Sequence, residues 1–387
     1  MEHTRATGRA RGRAGPLLAM LVATGACRSS RTTAPESGVD DPFDDQPYAQ
    51  GPLPAATKVL LVAGGDDVAN FAAEVVEQRA LWLEAGLGSD EIACYYAKPT
   101  LDALIEDGEQ WRELAPMLRD CYPADPATVH GHLRQVAQQA PPFVYVFVSS
   151  HGLPPIMRWA AGVDDPNLLP RHFELQRGEI GRFDRHAIGL EAGDGPGLGE
   201  VQALLEAHRA GAEVEALMLS PDTLAGALGE LPEGSAKIVV LQACFSGGFI
   251  EREDEGWSPL TKVPRVTVLT ATSADRPSFG CGAGSERTYY GGAFNRVLAE
   301  ELEREERRPT ELPWEEMHER VRFVVETMEI IDGEAPSRPR YFSNVPGRES
   351  EGEGKSKGKG KGKSKSARAS VRGTGGSRRV SRWNGVG

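Results

Sequence analysis

Short apolar runs alternate with helix-like segments between residue 57 and about residue 346. The apolar runs predict strands, and the segments between them carry apolar residues at helical spacing. The predicted strands are KVLLVAGG (58–65), EIACYYA (91–97), FVYVFVSS (143–150), KIVVLQA (237–243), RVTVLTAT (265–272) and RYFSN (340–344). The predicted helices cover residues 67–87, 126–140, 289–307 and 313–328. Apolar strands separated by helices are typical of a parallel sheet covered on both faces, so the sequence predicts an α/β fold.

The carboxyl ends of these strands are where chemistry is expected, because parallel sheets carry their ligands at that edge. One strand delivers His151 and Gly152 to this edge, and the next major strand delivers Cys244. A thiolate is a nucleophile, a nearby imidazolium lowers the thiol pKa, and the same imidazole can protonate a leaving amine. Gly152 lets the backbone approach a substrate, so its N–H and that of Cys244 can stabilise an oxyanion.

Each of these residues also has a structural explanation when it is taken alone. A buried cysteine such as Cys244 is often a core residue, and His151 can be a hydrogen-bonded loop histidine. Their occurrence at matching strand ends, each beside glycine or other small residues, favours a Cys–His dyad. No cluster of Cys and His has the spacing of metal ligands, and we expect neither a metal nor a cofactor.

The amino-terminal region differs in composition from the middle of the chain. Residues 1–26, MEHTRATGRARGRAGPLLAMLVATGA, place four arginines before a short apolar run, which is the pattern of a secretory signal. Cys27 follows small residues and resembles the lipidated cysteine of a bacterial lipoprotein, which implies a membrane anchor. Thr24 stands where that pattern usually has Leu, so ordinary secretion is the alternative. We therefore expect an exported protein, either an outer-membrane lipoprotein of the cell envelope or a periplasmic one.

Two further segments lack the periodicity of a folded domain. Residues 27–56 are rich in Ser, Thr, Pro, Asp and Gln and are predicted to be a flexible tether. Residues 351–387 are predicted to be a disordered basic tail, with six Lys, five Arg and no acid from Lys355 onward. Its charge can attach it to anionic lipid, polysaccharide or nucleic acid, with no specific nucleic-acid partner expected. The alternatives are a solvated tail without a partner and an artefact of gene prediction.

The chain has five cysteines: Cys27, Cys94, Cys121, Cys244 and Cys281. Export implies an oxidising compartment in which disulfides persist. The spacings show no regular disulfide framework, and five is an odd number. Cys94 with Cys121 is the one pairing that we consider.

An apolar strand ending in His-Gly, followed by an apolar strand ending in Ala-Cys, resembles the caspase-like cysteine peptidases. QACFSGGFI (242–250) and LTATSADRPSFGC (269–281) look like the bacterial branch of the legumain-like (asparaginyl endopeptidase) family, and SRPRYFSN (337–344) is similar to its terminal strand. The resemblance covers roughly residues 57–346, apart from an insertion at 153–216, and indicates a peptidase domain at 57–350. It implies a caspase-like three-layer sandwich with a mostly parallel six-stranded sheet.

The resemblance also implies the roles of individual residues. His151 would be the general acid and base, Cys244 the nucleophile and Gly152 an oxyanion donor. Legumains orient the histidine with an asparagine after the first strand, and Asn70 is the nearest match.

The substrate cleft is less well matched than the dyad. Asp275, Arg276 and Ser278 would lie beside the cleft, with a salt bridge and a turn as their alternative roles. Phe245 replaces the acid that lines the asparagine pocket of legumains, so the mechanism transfers better than the specificity.

These observations predict an exported cysteine endopeptidase that hydrolyses peptide bonds of peptides or proteins. Transpeptidase or transamidase activity on the same fold is one alternative, and a non-catalytic binding module that retains Cys244 is another. A third is an unrelated cysteine hydrolase on a doubly wound sheet, which would need a carboxylate or Lys partner for Cys244. The insertion at 153–216 leaves from the catalytic edge, so we expect it to gate the cleft.

Overall fold

The computed structural model describes residues 41–155, 185–190, 206–252, 256–282, 285–304 and 308–346. The predicted signal (1–26), the predicted lipidation site Cys27, the predicted basic tail (351–387) and most of the insertion (153–216) lie outside the described residues. Within the described ranges, no helix is long and apolar enough to cross a membrane.

The described chain forms eleven strands, seven of which make one central sheet. In chain order the strands are β1 (Val59–Ala63), β2 (Ile92–Tyr96), β3 (Tyr122–Pro123), β4 (Phe143–Ser149), β5 (Gly152–Leu153), β6 (Ala187–Ile188), β7 (Ala236–Gln242), β8 (Glu251–Arg252), β9 (Gly256–Trp257), β10 (Val266–Thr270) and β11 (Arg340–Ser343). The spatial order of the central sheet is β11-β10-β7-β4-β1-β2-β3. All neighbours in it are parallel except β10 and β11.

Helices cover both faces of this sheet. In chain order they are α1 (Ala69–Glu84), α2 (Leu101–Leu114), α3 (Pro126–Gln139), α4 (Val214–Leu217), α5 (Pro221–Gly229), α6 (Tyr289–Arg304) and α7 (Trp314–Asp332). Side chains of α1, α2, α6 and α7 pack with Val59, Leu61 and Ala63 of β1, whereas those of α3 and α5 pack with Leu60 and Val62. Successive residues of a strand point to opposite faces, so one apolar strand supplies two cores. The predicted α/β sandwich is therefore confirmed.

The sheet has seven strands where the sequence predicts six. The additional strand, β3, is two residues long and pairs with β2 at the sheet edge, and so short a strand leaves no periodic signal. The predicted pairing of Cys94 with Cys121 is confirmed as a disulfide that joins β2 to the residue before β3. The structure also adds three helices that are not predicted from the sequence: α2, α4 and α5.

Residues 41–56 correct the prediction that the whole of 27–56 is a flexible tether. Phe43 is only 1% exposed, and its ring contacts those of Tyr96 and Trp111. The backbone of Leu53 exchanges two hydrogen bonds with the Gln135 side chain. Single apolar residues in a polar segment give no periodicity, yet burying one large side chain is worth about 1.5–3 kcal/mol, which contributes to holding this stretch on the domain.

Candidate active site

The two predicted dyad residues follow neighbouring strands at the same edge of the sheet. Ser149 of β4 is in register with Gln242 of β7, and the Ser150 N–H donates to the Gln242 carbonyl oxygen at 2.9 Å. The register therefore brings the ends of these strands, which lead into His151 and Cys244, to the same level. The backbone of Gly152 packs directly on that of Cys244, because a Cβ at position 152 would overlap the Cys244 carbonyl.

Cys244 is a buried free thiol. The residue is 7% exposed, and among the described cysteines it is the one with a free thiol. The Sγ atom accepts a hydrogen bond from the Ser278 N–H at 3.2 Å and lies 3.7 Å from the Ser278 carbonyl oxygen. Burial raises the pKa of the Cys244 thiol to about 11, and the Ser278 N–H offsets only part of this rise. The thiol is therefore protonated at neutral pH in this arrangement.

His151 is held by a carboxylate. Its Nε2 atom lies 2.6 Å from Oδ1 of Asp67, and the two side chains are 20% and 16% exposed. The imidazole and the Phe71 ring also form a T-shaped contact at a centroid distance of 5.0 Å. Burial alone would raise the pKa of Asp67, but the hydrogen bond and charge of His151 outweigh it and hold that pKa below its usual value. Asp67 is thus ionised at neutral pH and stabilises any positive charge that forms on the His151 ring.

Asp67 takes the position that the sequence analysis assigns to Asn70. The Asn70 side chain is 1% exposed and its Nδ2 donates to the Gly280 carbonyl at 2.8 Å, so it ties α1 to the loop after β10. The available signal for Asp67 was its place in AGGDD, directly after β1, since β1 pairs with the histidine-bearing β4. A carboxylate at the end of a strand next to β4 is a candidate partner for His151.

The turn that carries Cys244 is conformationally strained. Phe245, half-buried, adopts φ +58°, and its N–H donates to the Arg276 carbonyl at 2.8 Å. A left-handed conformation costs a non-glycine residue about 1–3 kcal/mol and persists only when its surroundings hold it. A short 3₁₀ helix, Ser246–Phe249, follows, and a Cβ at Gly247 would overlap the backbone of Ser273 and Ala274.

The loop after β10 contains the other predicted cleft residues. The backbone N–H of Ser278 contacts Sγ of Cys244, whereas its side-chain Oγ lies 3.4 Å from Oε1 of Gln242. Asp275 accepts a hydrogen bond from the Ser273 hydroxyl at 2.6 Å and lies 3.6 Å from Nε of Arg276. The salt bridge and turn that were the alternative roles of Asp275 and Arg276 are therefore present.

Residues 211–341 match the model of the Peptidase C13 family. The matching segment contains Cys244 and Ser278 and ends in β11, whereas His151 and Asp67 precede it. The match supports a cysteine-peptidase-like function.

No curated protein matches the chain. Among solved structures the chain is similar to protein GSU0716 from Geobacter sulfurreducens, with 12% identity, 74% of this chain and 92% of that chain covered, and a TM-score of 0.38. It is also similar to caspase-1 from Spodoptera frugiperda, with 10% identity, 82% and 95% coverage, and a TM-score of 0.38.

The C13-matching segment also contributes to a cavity of about 560 Å³. Its lining consists of Glu251, Gly256, Trp257, Ser273, Ala274, Asp275, Arg338 and Arg340. Ser273 and Ala274 contact both the cavity and Gly247 of the Cys244 turn. His151 and Cys244 do not line it, so it is a neighbouring space and not the place of the reacting atoms. Within the described ranges, no group of three or more His, Cys, Asp or Glu is placed to hold a metal ion.

A buried carboxyl group lies beneath the histidine end of the site. Glu74 of α1 accepts hydrogen bonds from the Ser149 hydroxyl at 2.6 Å and from the N–H and hydroxyl of Thr288, each at 2.7 Å. Burial raises the pKa of Glu74 to about 7, against the lowering effect of those hydrogen bonds. A Cβ at Gly291 would overlap this carboxyl group. Glu74 is not recognisable from the sequence, because its partners lie 75 and 214 residues further along the chain.

Proposed function

We propose that this chain is a cysteine endopeptidase in which Cys244 is the nucleophile and His151 the general acid and base. One observation carries the proposal: a free thiol and a carboxylate-bound imidazole follow adjacent strands at one sheet edge, with the Gly152 backbone packed on that of Cys244. Peptide-bond hydrolysis by a thiol needs this combination of groups. The C13 match of residues 211–341 supports the same function.

The geometry supports a reaction that starts from a neutral thiol. Since Nε2 of His151 is bound to Asp67, we assign proton transfer to Nδ1. His151 takes the Cys244 proton as the sulfur bonds to the peptide carbonyl carbon. It then gives that proton to the leaving amine as the C–N bond breaks, which leaves a thioester. Water attacks the thioester with His151 as base, the C–S bond breaks, and the returned proton restores the thiol.

Two further groups assist this sequence in the proposal. Asp67 stabilises the imidazolium that forms twice in each cycle, because it is ionised and 2.6 Å from the ring. The backbone N–H groups of Gly152 and Cys244 receive the oxyanion of each tetrahedral intermediate, a role supported by their direct backbone packing. The strained Phe245 turn presents the nucleophile next to these donors.

Export is the second part of the proposal. The Cys94–Cys121 disulfide supports it, since structural disulfides are rare in reducing compartments. Lipidation of Cys27, with the membrane anchor it would give, and attachment of the basic tail to anionic surfaces remain predictions from the sequence. Mass spectrometry of the mature protein tests the first: an acylated Cys27 supports it, and an unmodified N-terminus between residues 20 and 40 contradicts it.

An electrophilic peptide probe tests the catalytic proposal on the full chain. We expect rapid labelling of native wild-type protein at Cys244, no labelling of Cys244→Ala at that position, and much slower labelling of His151→Ala. Unfolded wild-type protein is the control, because unfolding exposes the thiol but destroys the dyad. A thiol that reacts only after unfolding would indicate a non-catalytic module and contradict the proposal.

A further inference from the structure

Residues 185–190, here called the return segment, are a part of the insertion that lies at the catalytic edge. Their strand β6 pairs with β5, which begins at Gly152, so that Gly152 faces Ile188 and Leu153 faces Ala187. On its other side the Ile188 N–H donates to the Leu219 carbonyl at 2.8 Å. The return segment is therefore fixed by backbone hydrogen bonds between the histidine end of the site and residue 219.

One half of the return segment contacts the histidine side. The Gly189 N–H donates to the His151 carbonyl at 3.0 Å, and the Ser150 hydroxyl donates to the Gly189 carbonyl. A Cβ at Gly64, in the turn after β1, would overlap the same Gly189 carbonyl. The backbone on either side of Gly189 therefore touches the loop that leads to Asp67 and the strand end that carries His151.

The other half contacts the cysteine side through a buried imidazole. His186 is 5% exposed and its ring lies on Gly248, where any Cβ would overlap the ring atoms. Its Nε2 is 2.9 Å from the Ala274 carbonyl oxygen. Because a carbonyl oxygen only accepts, Nε2 carries the proton of this hydrogen bond. His186 thus connects the 3₁₀ helix after Cys244 to the loop after β10.

The position of that loop matters for the nucleophile. The Ser278 N–H, four residues after Ala274, is the donor to Sγ of Cys244, and the Arg276 carbonyl accepts from the strained Phe245 N–H. A loop that moved away from the Cys244 turn would withdraw both contacts. Displacements of about 1 Å in such a site can lower a rate by about 100-fold.

We propose that His186 is a positioning residue: it fixes the Cys244 turn against the loop after β10, and the return segment ties both to His151. This inference deepens the proposed peptidase function and rests on it. It gives part of the insertion a role in the chemical step, in addition to the gating role expected from its place beside the cleft. The predicted consequence is a change in kcat with little change in KM.

Substitutions at His186 test the proposal in the full-length protein. We expect His186→Ala to lower kcat about 10- to 100-fold with KM nearly unchanged, and to shift the pH midpoint of Cys244 alkylation by iodoacetamide. His186→Gln keeps an N–H donor and should recover most of the loss, whereas His186→Phe fills the space without a donor and should not. Gly248→Ala displaces the imidazole and should reproduce His186→Ala.

His130→Ala is the matched control, because His130 is also buried and its Nε2 faces a backbone carbonyl, that of Met218, at 3.4 Å. We expect it to lower stability without moving the alkylation midpoint. Equal midpoints in wild type and His186→Ala, a Gln variant no better than Ala, or the same shift in His130→Ala would overturn the proposal. Alkylation needs no substrate, so a shifted midpoint without peptidase activity in wild type would refute the proposed function and leave the positioning role standing.

Discussion

His151 and Cys244 end adjacent strands, but they are held by different kinds of interaction. His151 is partly exposed and bound to an ionised carboxylate, whereas Cys244 is buried and receives one backbone N–H. The carboxylate at the first position stays ionised, and burial keeps the thiol at the second position neutral. The contrast indicates that the resting site carries its negative charge on Asp67, and that the thiolate forms only as the proton passes to His151 during attack.

Removing either end of the dyad is the strongest test of this division. We expect Cys244→Ala and His151→Ala each to lower kcat for a library-derived peptide substrate by at least about 10³-fold, and the double variant to be no worse than either single one, because residues acting as a unit are non-additive. Thermal unfolding should show that the folds are intact. Wild-type turnover by Cys244→Ala would eliminate the assignment.

Removing the charge beside His151 should have the next largest effect. Asp67→Asn keeps a hydrogen-bonding group but loses the charge, so kcat should fall roughly 10²-fold. Asn70→Ala is the comparison, since Asn70 bonds Gly280 of the loop after β10 and not His151, and it should lower kcat less than Asp67→Asn does. If Asn70→Ala lost more activity than Asp67→Asn, Asn70 would be the orienting residue after all.

The pH dependence of the same pair has a defined sign. The pKa of Asp67 is depressed in the folded protein, so the pair contributes stability that is present above the unfolded pKa. That contribution is lost as pH falls through the folded pKa. Urea unfolding of wild type and Asp67→Asn should therefore differ at pH 6 and converge in strong acid, and a constant difference would contradict this reading.

The buried carboxyl group of Glu74 should make the stability of the fold depend on pH in the opposite direction to Asp67. Its folded pKa of about 7 lies above the usual 4.5, so the folded state binds the proton more tightly than the unfolded state. Stability should then decrease as pH rises from about 4.5 to about 7, by roughly 3 kcal/mol in total. Glu74→Gln should flatten this slope in urea unfolding between pH 5 and 7.5. An unchanged slope would show that other groups cause it.

The smallest expected effect concerns specificity at the cysteine end. Phe245 offers apolar surface where legumains carry an acid, so we expect no strict preference for asparagine before the cleaved bond. Phe245→Glu should raise the relative cleavage of asparagine peptides several-fold in a library profile, and Phe245→Leu should leave it unchanged. A wild-type preference for asparagine more than tenfold above leucine or alanine would refute this interpretation.

The sequence by itself determined the sheet and the edge at which His151, Gly152 and Cys244 meet. Apolar runs record burial and strand length locally, and parallel pairing then places the strand ends side by side. The Cys94–Cys121 disulfide could also be predicted from the sequence.

Only the tertiary structure decided which side chains support the dyad. Asp67 rather than Asn70 binds His151, Glu74 meets Thr288 from 214 residues away, and His186 reaches the Cys244 turn from within the insertion. Residues 41–56 likewise pack on the domain through Phe43 and Leu53. The physical reason is common to all of these: a side chain's partner in a turn or loop is set by long-range backbone placement. Hydrophobic periodicity reports only whether a residue is buried and which face it occupies.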